Sequence, residues 1–188
     1  MPPEYLRVGF GMRFLAWIVD WILILIVAGV VTLLLISNDV TVPTARPEST
    51  ADVESMYRWM GISPDEAATY AYAAASFSYA LVLIAFGYSL ISAMFGASPG
   101  KMVFGLVIAH SDGRRGSMSL WIRRWAVRDA NLYLQLAAIL PTLSFLDNIG
   151  AVIGIVIFIG CFMAAGQERL ALHDRIAQSA VFRRSDVH

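Results

Sequence analysis

The sequence predicts an all-α membrane protein: a four-helix transmembrane bundle with a small cytoplasmic β-hairpin between helices 2 and 3. Three observations carry this. Of 188 residues, 58% are hydrophobic and 15% charged, with a mean hydropathy of +0.65, whereas a soluble domain carries about 25% charge. Residues 14–36 hold one charge, Asp20, and residues 70–95 and 148–167 hold none; each run is long enough for the ~20 residues that a bilayer crossing needs. Finally, the basic residues are distributed very unevenly between the connecting segments.

The first helix, about residues 10–36, follows Arg7 and carries Arg13 in its first turn. It reads as retained rather than cleaved, because it exceeds the apolar core of a secretory signal and Asp20 interrupts it. Residues 37–63 form an acidic extracytoplasmic loop with Asp39, Glu48, Asp52 and Glu54. Pro43 and Pro47 come early in it, and a short helix is expected near residues 55–60. The second helix, about 64–96, opens on Ser63-Pro64-Asp65-Glu66, which supplies a capping hydroxyl, a first-turn proline, and a capping box closed by Glu66. Small residues recur along it at Ala71, Ala75, Ser78, Ala85, Ser89, Ser92 and Gly96, and later at Gly150 and Gly154; packing within one chain is the expected use of both stripes.

Residues 103–109 read as a strand entering a turn at Asp112-Gly113, hence the hairpin. Residues 131–146 are uncharged but broken by Pro141. Continuing them back through Arg128, Arg124 and Arg123 gives a third helix, about 119–142, with its arginines at one membrane face. The alternative has three spanning helices, with residues 131–146 in the interface or re-entering. The fourth helix runs about 147–167, and a cytoplasmic tail occupies 168–188, so residues 1–188 read as one domain.

With four crossings, one face carries Arg7, Arg13, Lys101, Arg114, Arg115, Arg123, Arg124, Arg128, Arg169, Arg175, Arg183 and Arg184, against Arg46 and Arg58 opposite. The positive-inside rule then makes both termini cytoplasmic in a cell-membrane protein. The 14 basic residues balance the 14 acidic ones, so nothing points to nucleic acid. The expected partners are the lipid bilayer, a second copy of the chain, and anionic lipid at the basic cytoplasmic face.

No catalytic constellation, metal cluster or cofactor motif stands out, and no enzymatic activity is expected. His110, His173 and His188 are scattered, and the lone Cys161 reads as a buried thiol. Gly96-Ala-Ser-Pro-Gly100-Lys101-Met102 is one residue short of a phosphate loop, and Met102 stands where a hydroxyl is needed. It reads as a helix end with Lys101 snorkelling to the cytoplasmic face.

Asp20 is the informative residue, because a carboxylate in mid-helix costs on the order of 3 kcal/mol on insertion. Arg13 shares its helix face but lies about 10 Å away along the axis, so the compensating partner must come from another helix or from water. Arg124, Arg128, Asn131 and Gln135 form a four-three stripe on the third helix that is expected to face Asp20. Two readings stand. In one, Asp20 lines an ion or solute path with Arg13, Asn131 and Gln135 and exchanges a proton for a cation, Lys101, Arg124 and Arg128 supporting it. In the other, it is an ionised structural lock in a non-transporting scaffold or accessory subunit.

Gly11-Met-Arg13-Phe-Leu-Ala-Trp-Ile-Val-Asp20 resembles the opening signature of the RDD family of small multi-pass membrane proteins, named for one arginine and two aspartates. Pro99-Gly100-Lys101-Met-Val-Phe-Gly105 with Asp112-Gly113, and Leu172-His173-Asp174-Arg-Ile-Ala, are similar to later family segments. The resemblance implies that the family residues are Arg13, Asp20 and Asp174. It departs at Gln178-Ser179-Ala180, where members tend to show a small residue followed by threonine. It implies a role mostly unassigned, with cation/proton exchange among those raised. Asp174 then follows the fourth helix at the membrane face of Arg13, and their pairing would fasten the tail to helix one; the alternative is a solvated acid beside Arg175.

Overall fold

The computed structural model describes residues 6–40 and 51–187, with side chains from residue 55 in the second stretch. Pro43, Arg46, Pro47, Glu48 and His188, and the side chains of Asp52 and Glu54, lie outside the described residues. The chain separates into two compact units: Leu25–Ile84, and Met1–Ile24 with Ala85–His188.

The first unit holds the C-terminal part of α1 (Phe10–Ser37), α2 (Ala51–Trp59) and the N-terminal part of α3 (Pro64–Phe95). The capping box at the start of α3 is present. The Ser63 amide donates to Glu66 Oε2 at 2.8 Å, and the Glu66 amide donates back to Ser63 Oγ at 3.3 Å. Tyr72 donates its hydroxyl to the Val40 carbonyl at 2.7 Å, tying the end of α1 to α3.

The second unit continues from α3 into α4 (Pro99–Val103), β1 (Leu106–His110), α5 (Met118–Arg128), α6 (Ala130–Ala138), α7 (Phe145–Cys161), α8 (Leu172–Ala177) and β2 (Ser179–Arg183). The expected hairpin is not formed. The strand and its turn exist, with the Gly113 amide donating to the His110 carbonyl at 2.9 Å, but β1 pairs antiparallel with β2, from Leu106 opposite Arg183 to His110 opposite Ser179. The residues after the turn, Arg114-Arg115-Gly116-Ser117, offer no apolar alternation, whereas β2 buries Val181 and Phe182 completely. Arg7 adds a bridge to Phe182, and Val8, Ala16, Leu106, Ile108 and Val181 form a small core beneath the sheet.

Among the described residues, three helices are long and apolar enough to cross a membrane: Phe10–Ser37, Pro64–Phe95 and Phe145–Ala165. They expose large apolar side chains such as Leu33, Val152 and Ile159, as a lipid-facing surface requires. The continuous helix expected over 119–142 is instead two. It breaks at Asp129 (φ −104°, ψ 19°), whose carboxylate turns back onto Arg128 Nε at 2.8 Å. Tyr133 folds over the break and donates to the Trp125 carbonyl at 2.7 Å. Pro141 then opens a single 3-10 turn because its ring cannot continue an α-helix. α6 packs along α7: a Cβ at Gly150 would come 3.2 Å from Leu134 Cβ, and one at Gly154 3.5 Å from Asn131 Cβ. That glycine pair therefore serves packing within the chain. Cys161 is half-buried rather than buried.

Candidate functional site

Two carboxylates, one buried and one partly buried, organise the second unit. Asp174 is the third residue of α8 and is fully buried. Arg13 Nη1 from α1 pairs with its Oδ2, Arg124 Nε from α5 donates to its Oδ1 at 2.8 Å, and the Ala171 amide reaches Oδ2 at 3.2 Å. The two guanidiniums overcome the cost of burial and hold this carboxyl well below the usual carboxylate range.

Arg13 uses its remaining donors on the Val8 and Arg169 carbonyls, each at 2.8 Å. Arg124 Nη2 lies 2.9 Å from His173 Nε2. A guanidinium has only donors, so Nε2 accepts and the imidazole is neutral with its proton on Nδ1. Burial and the Arg124 charge push its pKa well below the ordinary histidine value. Arg123 donates to the Ala177 carbonyl at 2.5 Å, closing the end of α8. The sequence thus fastens α1, α5 and α8 through one carboxylate.

Asp20 forms the second centre. Ser98 Oγ donates to Oδ2 at 2.6 Å, while Tyr88 Oη and the Gly100 amide donate to Oδ1 at 2.8 and 2.7 Å. Ser98 caps α4 and Pro99 opens it, and the Gly100 amide of its first turn points at the carboxylate. The approach requires glycine: a Cβ on Gly100 would stand 2.2 Å from the Ala16 carbonyl oxygen and 2.6 Å from Asp20 Oδ1. The stretch that resembles a truncated phosphate loop therefore grips an internal carboxylate.

The polar stripe expected to face Asp20 is divided among other partners. Arg124 goes to Asp174, and Arg128 to Asp129 and, at 3.3 Å, to Ser92. Asn131 and Gln135 lie against the α7 glycines. The break at Asp129 rotates the second half of the stripe away from the first, so one helical face no longer carries all four. Lys101 does not snorkel: it is buried in α4, and burial together with Arg128 and Arg124 drives its pKa well below the ordinary lysine value. The pairing of Arg13 with Asp174 is present. Tyr88, Ser98, Gly100 and His173 were not among the expected site residues; the Ser-Pro-Gly start of α4 was the legible signal for two of them.

The apolar helices and the charged layer that joins their ends define a membrane protein. A family model described as the RDD family matches residues 7–178, and the chain belongs to that family. No curated protein and no solved structure matches it.

Proposed function

We propose that the chain is a multi-pass cell-membrane protein with both termini cytoplasmic, acting as a non-transporting scaffold or accessory subunit without enzymatic activity, with Arg13, Asp20 and Asp174 as structural locks. The observation that supports this reading is saturation. Each of the two carboxylates takes three donors from the protein itself, Asp174 from Arg13, Arg124 and Ala171, and Asp20 from Ser98, Tyr88 and Gly100. Donors aimed at an oxygen oppose a cation there, and ionised carboxylates so satisfied hold elements together.

The same contacts support the orientation. They gather the start of α1, the end of α3 and the segment after α7 on one side, and that side carries the arginines. The arginine-rich side is then cytoplasmic.

A second reading, cation/proton exchange at Asp20 in a homodimer, draws on a specific observation. All three donors to Asp20 are neutral, and the buried amine of Lys101, whose proton is held loosely by comparison with an ordinary lysine, lies in its field.

The test compares wild type with Asp20→Asn in liposomes at matched incorporation, recording internal pH on adding Na, K or Li salts, beside thermal melts. The lock reading expects no cation-dependent proton movement from either protein, and Asp20→Asn destabilised by about 1.5–3 kcal/mol through loss of charge-assisted bonds. Proton movement in wild type that vanishes in an Asp20→Asn protein melting like wild type would replace the lock with the exchanger.

A further inference from the structure

Where α3 ends, a crevice of about 530 Å³ opens between α4, the start of β1 and the residues after β2. Its floor and one wall are apolar: Leu106, Ala97 and Trp121, with Phe95 and Met102 exposed at the mouth. The wall is fixed in place. The Trp121 indole donates to the Ile108 carbonyl at 2.9 Å, and its ring covers Gly96 and Gly116, where an added Cβ would come within 2.3 Å. The Arg184 amide donates to the Gly105 carbonyl at 2.8 Å, anchoring the opposite lip.

Two arginines, Arg115 and Arg184, line this crevice. Both are exposed, and neither guanidinium meets a carboxylate among the described residues, whereas Arg114 beside Arg115 is paired with Asp112. The crevice begins at Phe95, the last residue of a helix long and apolar enough to cross a membrane, and the ends of such a helix are where it meets the headgroups. Apolar surface at the end of a candidate spanning helix, a rigid aromatic wall and two cations that meet no carboxylate among the described residues make one chemical pattern.

We infer that this crevice binds one anionic phospholipid, its phosphate held by Arg115 and Arg184 and the start of an acyl chain lying over Phe95 and Met102. The inference specifies a lipid partner within the proposed function. It rests on the membrane placement of α3 and not on the locks, so detection of ion exchange would leave it standing.

Native mass spectrometry of the delipidated full-length chain in detergent tests it, by titrating phosphatidylglycerol against phosphatidylcholine with the same acyl chains. Each arginine near an anionic headgroup contributes about fivefold to binding, or about 25-fold for the pair. Wild type should prefer phosphatidylglycerol by about that factor, Arg115→Gln/Arg184→Gln should lose the preference, and Arg114→Gln/Arg175→Gln, which removes two charges elsewhere, should keep it. Met102→Asp, which leaves both arginines in place, should weaken binding of both lipids.

Thermal melts confirm that each variant is folded before its titration is read. Equal loss in the two double variants would overturn the inference in favour of diffuse surface charge. Displacement of the lipid by millimolar inorganic phosphate would overturn it in favour of a free-anion site. A delipidated wild type that dimerises while Arg115→Gln/Arg184→Gln stays monomeric would give the crevice to a second copy.

Discussion

Replacing Asp174 by asparagine keeps the shape of the side chain and removes its charge. Arg124 is then left 3% exposed and Arg13 11% exposed, both without a counter-charge, and His173 loses the geometry that Arg124 gave it. Removing one partner of a buried ion pair costs about 3–5 kcal/mol, most of it the price of the stranded charge. At about 2–4 °C per kcal/mol for a chain of this size, Asp174→Asn should melt about 6–20 °C below wild type. The assay is tryptophan fluorescence during thermal unfolding in one detergent at fixed lipid content. A second variant separates charge from packing. Arg13→Met/Arg124→Met/Asp174→Leu removes every charge at the centre and should recover most of the loss, since apolar replacement of a buried charge cluster is often neutral or stabilising. An Asp174→Asn melt within about 2 °C of wild type would refute the lock. A triple variant no more stable than the single would assign the loss to packing.

Gly100→Ala drives a methyl group into the Ala16 carbonyl and Asp20; it should cost about 1–3 kcal/mol by overpacking and expose the residue 95–103 segment to proteolysis, which limited digestion would reveal. His173 sets a pH dependence whose sign is fixed by its burial. An unfolded histidine takes a proton near pH 6.5, while the buried ring stays neutral to well below that. Stability is therefore full above pH 6.5 and falls on acidification by about 1.4 kcal/mol per pH unit. Melts between pH 7.5 and 5.5 should lose about 1.4 kcal/mol in all, most of it below pH 6.5, and His173→Gln should abolish the loss. Asp174 adds nothing in that window, because its depressed carboxyl titration removes stability only at more acid pH.

The three long apolar helices were legible because bilayer thickness imposes a length and a composition that few other structures share. The capping box at Ser63 was legible because its signal lies within four residues. The partner of β1 was not: Asp112-Gly113 is a local turn signal, but strand pairing is decided by which segment brings buried side chains, and Val181 and Phe182 outcompeted the polar residues after the turn. The third helix failed at Asp129, where a neighbouring Arg128 gave the carboxylate a reason to leave helical geometry. Asp20 was rightly read as needing compensation. Ser98-Pro99-Gly100 marked a helix start, but nothing in that pattern tied its hydroxyl and its backbone amide to Asp20, and the Tyr88 hydroxyl lay on a helix read only for its small residues.

The Arg13–Asp174 contact joins residues 161 positions apart, and this separation orders events during synthesis. At about 5–20 residues per second, the ribosome needs about 8–30 s after making Arg13 to deliver its counter-charge. Through that interval α1 is already long and apolar enough to cross a bilayer, with Arg13 still lacking its carboxylate. Closure of the layer that holds α8 and β2 comes only once α7 has been made. Any nascent chain that stops short of α8 leaves Arg13 and Arg124 unneutralised and the mate of β1 missing.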